Sequence, residues 1–396
     1  MSKMDAPHAA DGFQVARWVD AVGGFVSRQP RLWIALGNIE TRIMADEIGA
    51  TAVDRPMFIS GLARSGSTIL LEVLAAHPEV VSHRYQDYPL VFTPFWWNRL
   101  LERVPKREVP PAERTHQDGI AVGPASPEAF EEVLWMAFFP HLHQAPHSDL
   151  LDEQTSHPEF EAFYREHIRK LVRVRGGRRY LSKGNYNVTR LEYLLKLFPD
   201  ARFVIPVRDP VWHIASLMKQ HALFCQGCER HPEAVRHLQR VGHFEFGLDR
   251  RPINAGDPGR LARVTEAWQQ GDEVAGWSLY WAHVYGNLAD RLNANPALKE
   301  AALVVRFEDM CRAPRETLQD ALTHCRLEAS PSWLQDQAAV IRFPSYYRPR
   351  FTDDELATIA RHTAATAHRF GYPLPRGESP MAPSDARTSQ PTPAGE

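Results

Sequence analysis

Met57-Phe58-Ile59-Ser60-Gly61-Leu62-Ala63-Arg64-Ser65-Gly66-Ser67-Thr68-Ile69-Leu70-Leu71 decides the fold of this chain. A short apolar run ends in a tight turn carrying Gly61 and Gly66, and an apolar run of helical type follows. In such a strand–loop–helix unit, backbone N–H groups and the positive helix end cradle an anion. The spacing is that of the phosphate-binding loop G-x-x-x-x-G-K-[ST], but Ser67 stands where the lysine that reaches a nucleoside triphosphate would be. The cation sits inside the loop instead, at Arg64. The loop therefore predicts an anionic ligand other than a magnesium nucleoside triphosphate.

Working outward, Arg55 to Ile59 reads as a strand and Thr68 to Ala76 as a helix stopped by Pro78. Upstream, Phe13 to Ala50 has helical periodicity interrupted near Gly23-Gly24 and Pro30. Downstream, strands are expected at 79–82, 179–183, 201–207 and 301–307. Helices are expected at 160–174, 188–198, 210–222, 265–292, 315–324 and 353–370. The Pro- and charge-rich stretch 104–127 reads as an exposed excursion, and 223–263 as an inserted lid without clear period. Strands alternating with helices argue for an α/β fold: a three-layer P-loop-type domain with a central parallel sheet and extra N-terminal helices. The expected organisation is a flexible N-terminus over 1–12, one domain over 13–375 and a Pro/Ser/Thr/Gly-rich disordered tail over 376–396.

Composition removes several classes. Apolar residues make up 44% and charged residues 24%, and the net charge is −2, so no polyelectrolyte partner such as nucleic acid is implied. Four cysteines in 396 residues are no disulfide framework. No run approaches the ~18 apolar residues of a membrane span, and Met1 to Gly12 carries no apolar leader segment. A reducing cytoplasm is the expected home.

In parallel α/β folds, ligands bind at the carboxyl ends of strands. Polar residues follow three of the expected strands: Arg64, Ser65, Ser67 and Thr68; then Lys183; then Arg208. Arg208 leads into Asp209-Pro210, an N-cap followed by a residue suited to the first helical position. Ser216 lies two turns into that helix. Such an Arg with a helix hydroxyl can hold a second phosphate group, so a ligand with two anionic groups is expected.

Gly61-Leu62-Ala63-Arg64-Ser65-Gly66-Ser67-Thr68, followed by Ala76-His77-Pro78, resembles the 5′-phosphosulfate loop of the sulfotransferase superfamily. The likeness is greatest to the branch of bacterial sulfotransferases and tyrosylprotein sulfotransferases. Arg202 to Pro210 with Ser216 resembles the family's 3′-phosphate motif, and Val305 to Asp309 its later strand motif. The resemblance implies 3′-phosphoadenosine 5′-phosphosulfate (PAPS) as donor, a small-molecule or glycan hydroxyl as acceptor, and no metal. It implies that Arg64, Ser65, Gly66, Ser67 and Thr68 hold the phosphosulfate, that Arg208 and Ser216 hold the 3′-phosphate, and that Lys183 meets the bridging oxygen of the leaving group.

An acceptor hydroxyl must lose a proton to a base, and here the sequence departs from its relatives. Where the tyrosylprotein branch carries a glutamate shortly after His-Pro, this chain has Arg84 or Tyr85. Asp87 is the favoured candidate by proximity, His83 the second, with His141 and His143 more remote. Tyr85, Tyr88, Phe92, Phe95, Trp96 and Trp97 are expected mainly in the core, or else along an acceptor pocket. Cys225 and Cys228, flanked by His221 and His231, have zinc-like spacing but are expected as plain thiols, because usual sites use separated pairs. The rival functions are a P-loop small-molecule kinase, with Glu308-Asp309 as its magnesium carboxylates, and a non-catalytic nucleotide-binding protein.

Overall fold

The computed structural model describes residues 12–103, 110–344 and 348–373. Among the described residues seven strands occur in chain order: β1 Met57–Ile59, β2 Val80–Val81, β3 Ala112–Glu113, β4 Ala121–Val122, β5 Arg179–Lys183, β6 Arg202–Val207 and β7 Ala302–Arg306. Five form a wholly parallel sheet in the order β2-β5-β1-β6-β7. β1 is central, with Ile59 level with Lys183 of β5 on one side and Val204 of β6 on the other. The loop that leaves β1 therefore emerges between the ends of β5 and β6, where chain direction across the sheet reverses and a crevice opens.

Parallel strands covered on both faces need apolar residues at every position, and β1 and β6 supply them. Phe58, Phe203 and Ile205 face a large core with Trp135, Phe160 and Tyr164. Met57, Ile59 and Val204 face a second core with Leu70, Leu74 and Leu322. The Phe58 and Phe203 rings stack at 5.8 Å across neighbouring strands. The fold is thus three-layered α/β, as the alternation of strands and helices implied.

Several elements differ from expectation for local reasons. The helix from Pro210 runs unbroken to Arg230, because no residue between 222 and 230 interrupts its ladder; Pro232 then opens the next helix. The first part of the stretch read as a lid, 223–263, is thus a direct extension of a sheet-flanking helix. The expected helix over 265–292 is two helices, Pro258–Gln269 and Glu273–Ala294, the second capped by the Asp272 side chain on the amide of Ala275. A further helix, Pro331–Val340, is capped by Ser330. In the stretch read as an exposed excursion, β3 and β4 pair as an antiparallel hairpin carrying the buried Arg114. The 1–11 segment and the tail 376–396 lie outside the described residues. Among the described residues no helix is long and apolar enough to cross a membrane.

Candidate active site

The loop after β1 is fixed from three directions. The amide of Ser60 donates to the carbonyl of Val204, continuing the sheet ladder. Gly61 packs against β6 so closely that a Cβ would lie 2.8 Å from the carbonyl oxygen of Pro206. His213 sits beneath the loop, with Nε2 2.8 Å from the carbonyl oxygen of Ala63 and Nδ1 accepting from Trp281 Nε1 at 3.1 Å. Burial depresses His213 to about 3, so it is neutral and its tautomer is set by these two partners. Gly66, at φ +101°, turns the chain into the helix Ser67–Ala75.

Cationic groups converge on the mouth of this loop. Arg64 Nε donates to Ser216 Oγ at 3.3 Å, and its guanidinium pairs with Asp118 at 2.6 Å. Asp118, in the turn between β3 and β4, is also held by the buried Arg114 at 2.5 Å. Burial pushes the Asp118 carboxyl up, but Arg114 and Arg64 outweigh it and hold the group well below the usual range. Arg208 donates to the carbonyl oxygen of Arg64 at 3.2 Å and packs over the Phe307 ring at 4.6 Å. These groups border a cavity of about 500 Å³, walled among the described residues by Arg64, Arg114, Lys183, Arg208 and Arg342 against two carboxylates, Glu72 and Asp118. The excess of positive charge suits a polyanion. Gly66, Ser67 and Thr68 line it too, whereas Ser216 is buried and reaches it through Arg64.

Lys183 ends β5 beside this cavity. Burial lowers its ammonium pKa, and the charge of Glu128 acts in the opposite direction. Lys183 also borders a second cavity of about 730 Å³. The two cavities share five lining residues: Arg114, His116, Lys183, Asn185 and His243. At this junction His243 Nδ1 lies 2.5 Å from Glu245 Oε2, and Asn185 Nδ2 donates to Glu245 Oε1 at 2.6 Å. Burial raises the Glu245 carboxyl, yet His243 and Asn185 overcome it and hold the group at about 2. His116 stacks on His243 with ring centroids 5.5 Å apart, and burial among Arg114, Arg64 and Lys183 keeps it well below its ordinary value.

Of the sequence-predicted residues, Arg64, Gly66, Ser67, Thr68, Lys183 and Arg208 converge on one cavity. Ser65 is wholly buried within the loop. Asp87 and His83, the expected base candidates, line neither cavity. The single turn Tyr85–Asp87 sends Tyr85 to the larger cavity, while Asp87 ion-pairs with Arg175 on the helix Pro158–Arg175. His83 Nδ1 lies 3.4 Å from Asp87, and its Nε2 lies 3.1 Å from His167 Nε2. Both are buried in a structural network. His143 is likewise engaged with Glu132 at 2.6 Å. The aromatic cluster divides: Tyr85, Tyr88 and Trp97 line the larger cavity, while Phe92 and Phe95 are core. Cys225 and Cys228 are one turn apart on a continuous helix, with His221 Nε2 3.6 Å from Cys225 Sγ. Sequence reasoning missed Arg114, His116, Glu128, His243 and Glu245, which lie far from the loop in sequence. The only local signal was the density of His and Glu in His243-Phe244-Glu245.

Comparison with known proteins bears on the sequence and the fold. The sulfotransferase family model matches residues 56–246, which span β1 through His243 and Glu245. The crystal structure of sulfotransferase STF9 from Mycobacterium avium superposes with a TM-score of 0.50 at 15% identity, covering 85% of this chain and 82% of that one. That of sulfotransferase STF1 from Mycobacterium tuberculosis gives a TM-score of 0.44 at 16% identity, covering 91% and 89%. No curated protein matches the sequence. The likeness to STF9 is one of fold, and the family match spans the loop after β1 and the residues shared by the two cavities. Over residues 56–246 this chain matches the sulfotransferase family model.

Proposed function

We propose that the protein transfers a sulfuryl group from PAPS to an acceptor hydroxyl by in-line displacement. The observation that carries this reading is the meeting of a cationic cavity and a second, less charged cavity at Lys183. In this reading the loop amides, Ser67, Thr68 and Arg64 hold the 5′-phosphosulfate, and Arg208 with Ser216 holds the 3′-phosphate. The Phe307 and Phe343 rings, 5.9 Å apart, offer the adenosine an apolar face. As the acceptor oxygen bonds to sulfur, the bond to the bridging oxygen breaks and its electron pair stays on the 5′-phosphate. Lys183 offsets that developing charge, as preorganised cations do best in a shielded site.

The acceptor proton passes in this reading to His243. Its Nδ1 is occupied by ionised Glu245, which leaves Nε2 for the hydroxyl and stabilises the imidazolium that forms. His116 is the poorer base because its burial, and after that Arg114, His243, Arg64 and Lys183 around it, oppose its protonation. The kinase alternative loses its magnesium carboxylates. Glu308 accepts from the Asp209 amide and the Tyr372 hydroxyl, and Asp309 pairs with Arg306 and Arg312. The unpaired thiols at Cys225, Cys228, Cys311 and Cys325 suit a cytoplasmic enzyme.

Calorimetry with 3′,5′-diphosphoadenosine against magnesium ATP tests the donor, and tighter binding of the diphosphate is expected. With labelled PAPS and a metabolite extract, mass spectrometry should find sulfated products that disappear with Lys183→Ala while diphosphate binding persists. Preference for ATP, or full transfer by the Lys183 variant, overturns the reading.

A further inference from the structure

The larger cavity carries an inference about the acceptor, resting on the sulfotransfer reading above. From its lining, we infer that it binds an uncharged, predominantly apolar, ring-bearing compound that presents one hydroxyl to the Lys183 end. Its volume of about 730 Å³ falls in the ~300–1,000 Å³ range of sites for compact organic ligands.

The distribution of polarity gives the class. Away from the junction the wall is built from Val15, Val19, Trp97, Leu101, Leu238 and Val241. Trp97 spends its indole N–H on the carbonyl oxygen of Gln86, so it offers an apolar face only. The charged groups that border the cavity elsewhere are already engaged. Glu131 accepts from the hydroxyls of Tyr164, Tyr180 and Ser182, and Glu132 accepts from Arg190. Burial lowers His237 to about 4, so it is neutral near pH 7. Ionisable groups able to act on a hydroxyl gather toward the Lys183 end, namely Lys183, Glu128, His116 and the His243–Glu245 pair, and elsewhere the wall offers isolated polar atoms, the Tyr88 hydroxyl, His237 Nδ1 and Asn187 Nδ2.

A sugar does not suit this wall. Each hydroxyl buried against the aliphatic and aromatic lining without a partner costs about 1–3 kcal/mol, and a sugar brings several. An anionic acceptor is opposed as well, because Glu128 borders the cavity and is held ionised, its burial outweighed by Lys183 and Tyr85. A phenol or alcohol on a flat apolar skeleton brings a single hydroxyl, which the groups at the junction can meet.

Calorimetry tests this on the full chain saturated with 3′,5′-diphosphoadenosine, using 1-naphthol as apolar probe and glucose as polar probe. Saturable binding of 1-naphthol is expected, with none of glucose. Leu238→Glu places a carboxylate on the apolar wall and should weaken 1-naphthol at least ~10-fold, leaving diphosphate affinity unchanged. Val122→Glu, on the half-exposed strand β4, repeats the test should Leu238→Glu fail to fold. Diphosphate binding without 1-naphthol binding up to its solubility limit overturns the inference, as does glucose binding or indifference to both substitutions. Failure of the sulfotransfer reading has a different signature: the diphosphate itself does not bind.

Discussion

Gly66→Ala is the sharpest test of how the anion loop is held. At φ +101° any residue with a Cβ is strained, at roughly 1–2 kcal/mol. The added methyl would also lie 2.5 Å from Cδ2 and 3.1 Å from Cε2 of Phe307, with Met310 Cε at 3.4 Å. Phe307 cannot swing aside freely, because it is buried between Gly66, the Arg208 guanidinium and the Phe343 ring. Overpacking of this kind adds about 1–3 kcal/mol, for a total of about 2–5 kcal/mol. That is a large share of the ~5–15 kcal/mol by which native proteins are stable. Urea unfolding followed by circular dichroism measures the loss, and diphosphate titration of the folded fraction measures the damage to the loop. Combining Gly66→Ala with Phe307→Ala separates the two causes: the clash disappears and the backbone strain stays. The double variant should then be about 1–3 kcal/mol more stable than the sum of the single losses predicts. Strict additivity, or a Gly66→Ala protein with an unchanged urea midpoint, refutes the reasoning.

Two other outcomes are expected. Arg208→Ala should weaken 3′,5′-diphosphoadenosine binding by about 1.5–3 kcal/mol, the range for hydrogen bonds to charged groups, and flatten its salt dependence; equal affinity in both proteins removes Arg208 from the donor site. Asp209 is pushed up from 3.8 to about 6 by burial and by Glu308. Its folded form therefore holds a proton that the unfolded form has lost, and stability should fall as pH rises from about 4 to 6. Asn caps a helix as well as Asp, so Asp209→Asn should erase that fall and gain at most ~3 kcal/mol at pH 7. Urea midpoints at pH 4.5 and 7 that respond identically in both proteins contradict this.

The loop, Lys183 and Arg208 were legible in the sequence because each sits at the end of an apolar run, and strand ends in a parallel sheet share one edge. Arg114, His116 and Asp118 were not. They ride on a hairpin whose strands are two residues each, too short for any periodicity, in a stretch whose prolines and charges read as solvent-facing. His243 and Glu245 follow the helix Pro232–Val241 in an irregular segment, where only tertiary packing brings them to Lys183. Counting along the chain does not fix which way a side chain faces. Tyr85 and Asp87 are two residues apart, yet one faces the cavity and the other Arg175.

The hairpin of β3 and β4 has a consequence for how two ligands would sense each other. Residues on it, Arg114 and His116, form a party wall between the neighbouring chambers, and Asp118 ties it to Arg64 of the anion loop. A ligand that tilted this ribbon on entering one compartment would alter the other as well. Thermodynamic reciprocity requires any such shift to be the same factor in either direction.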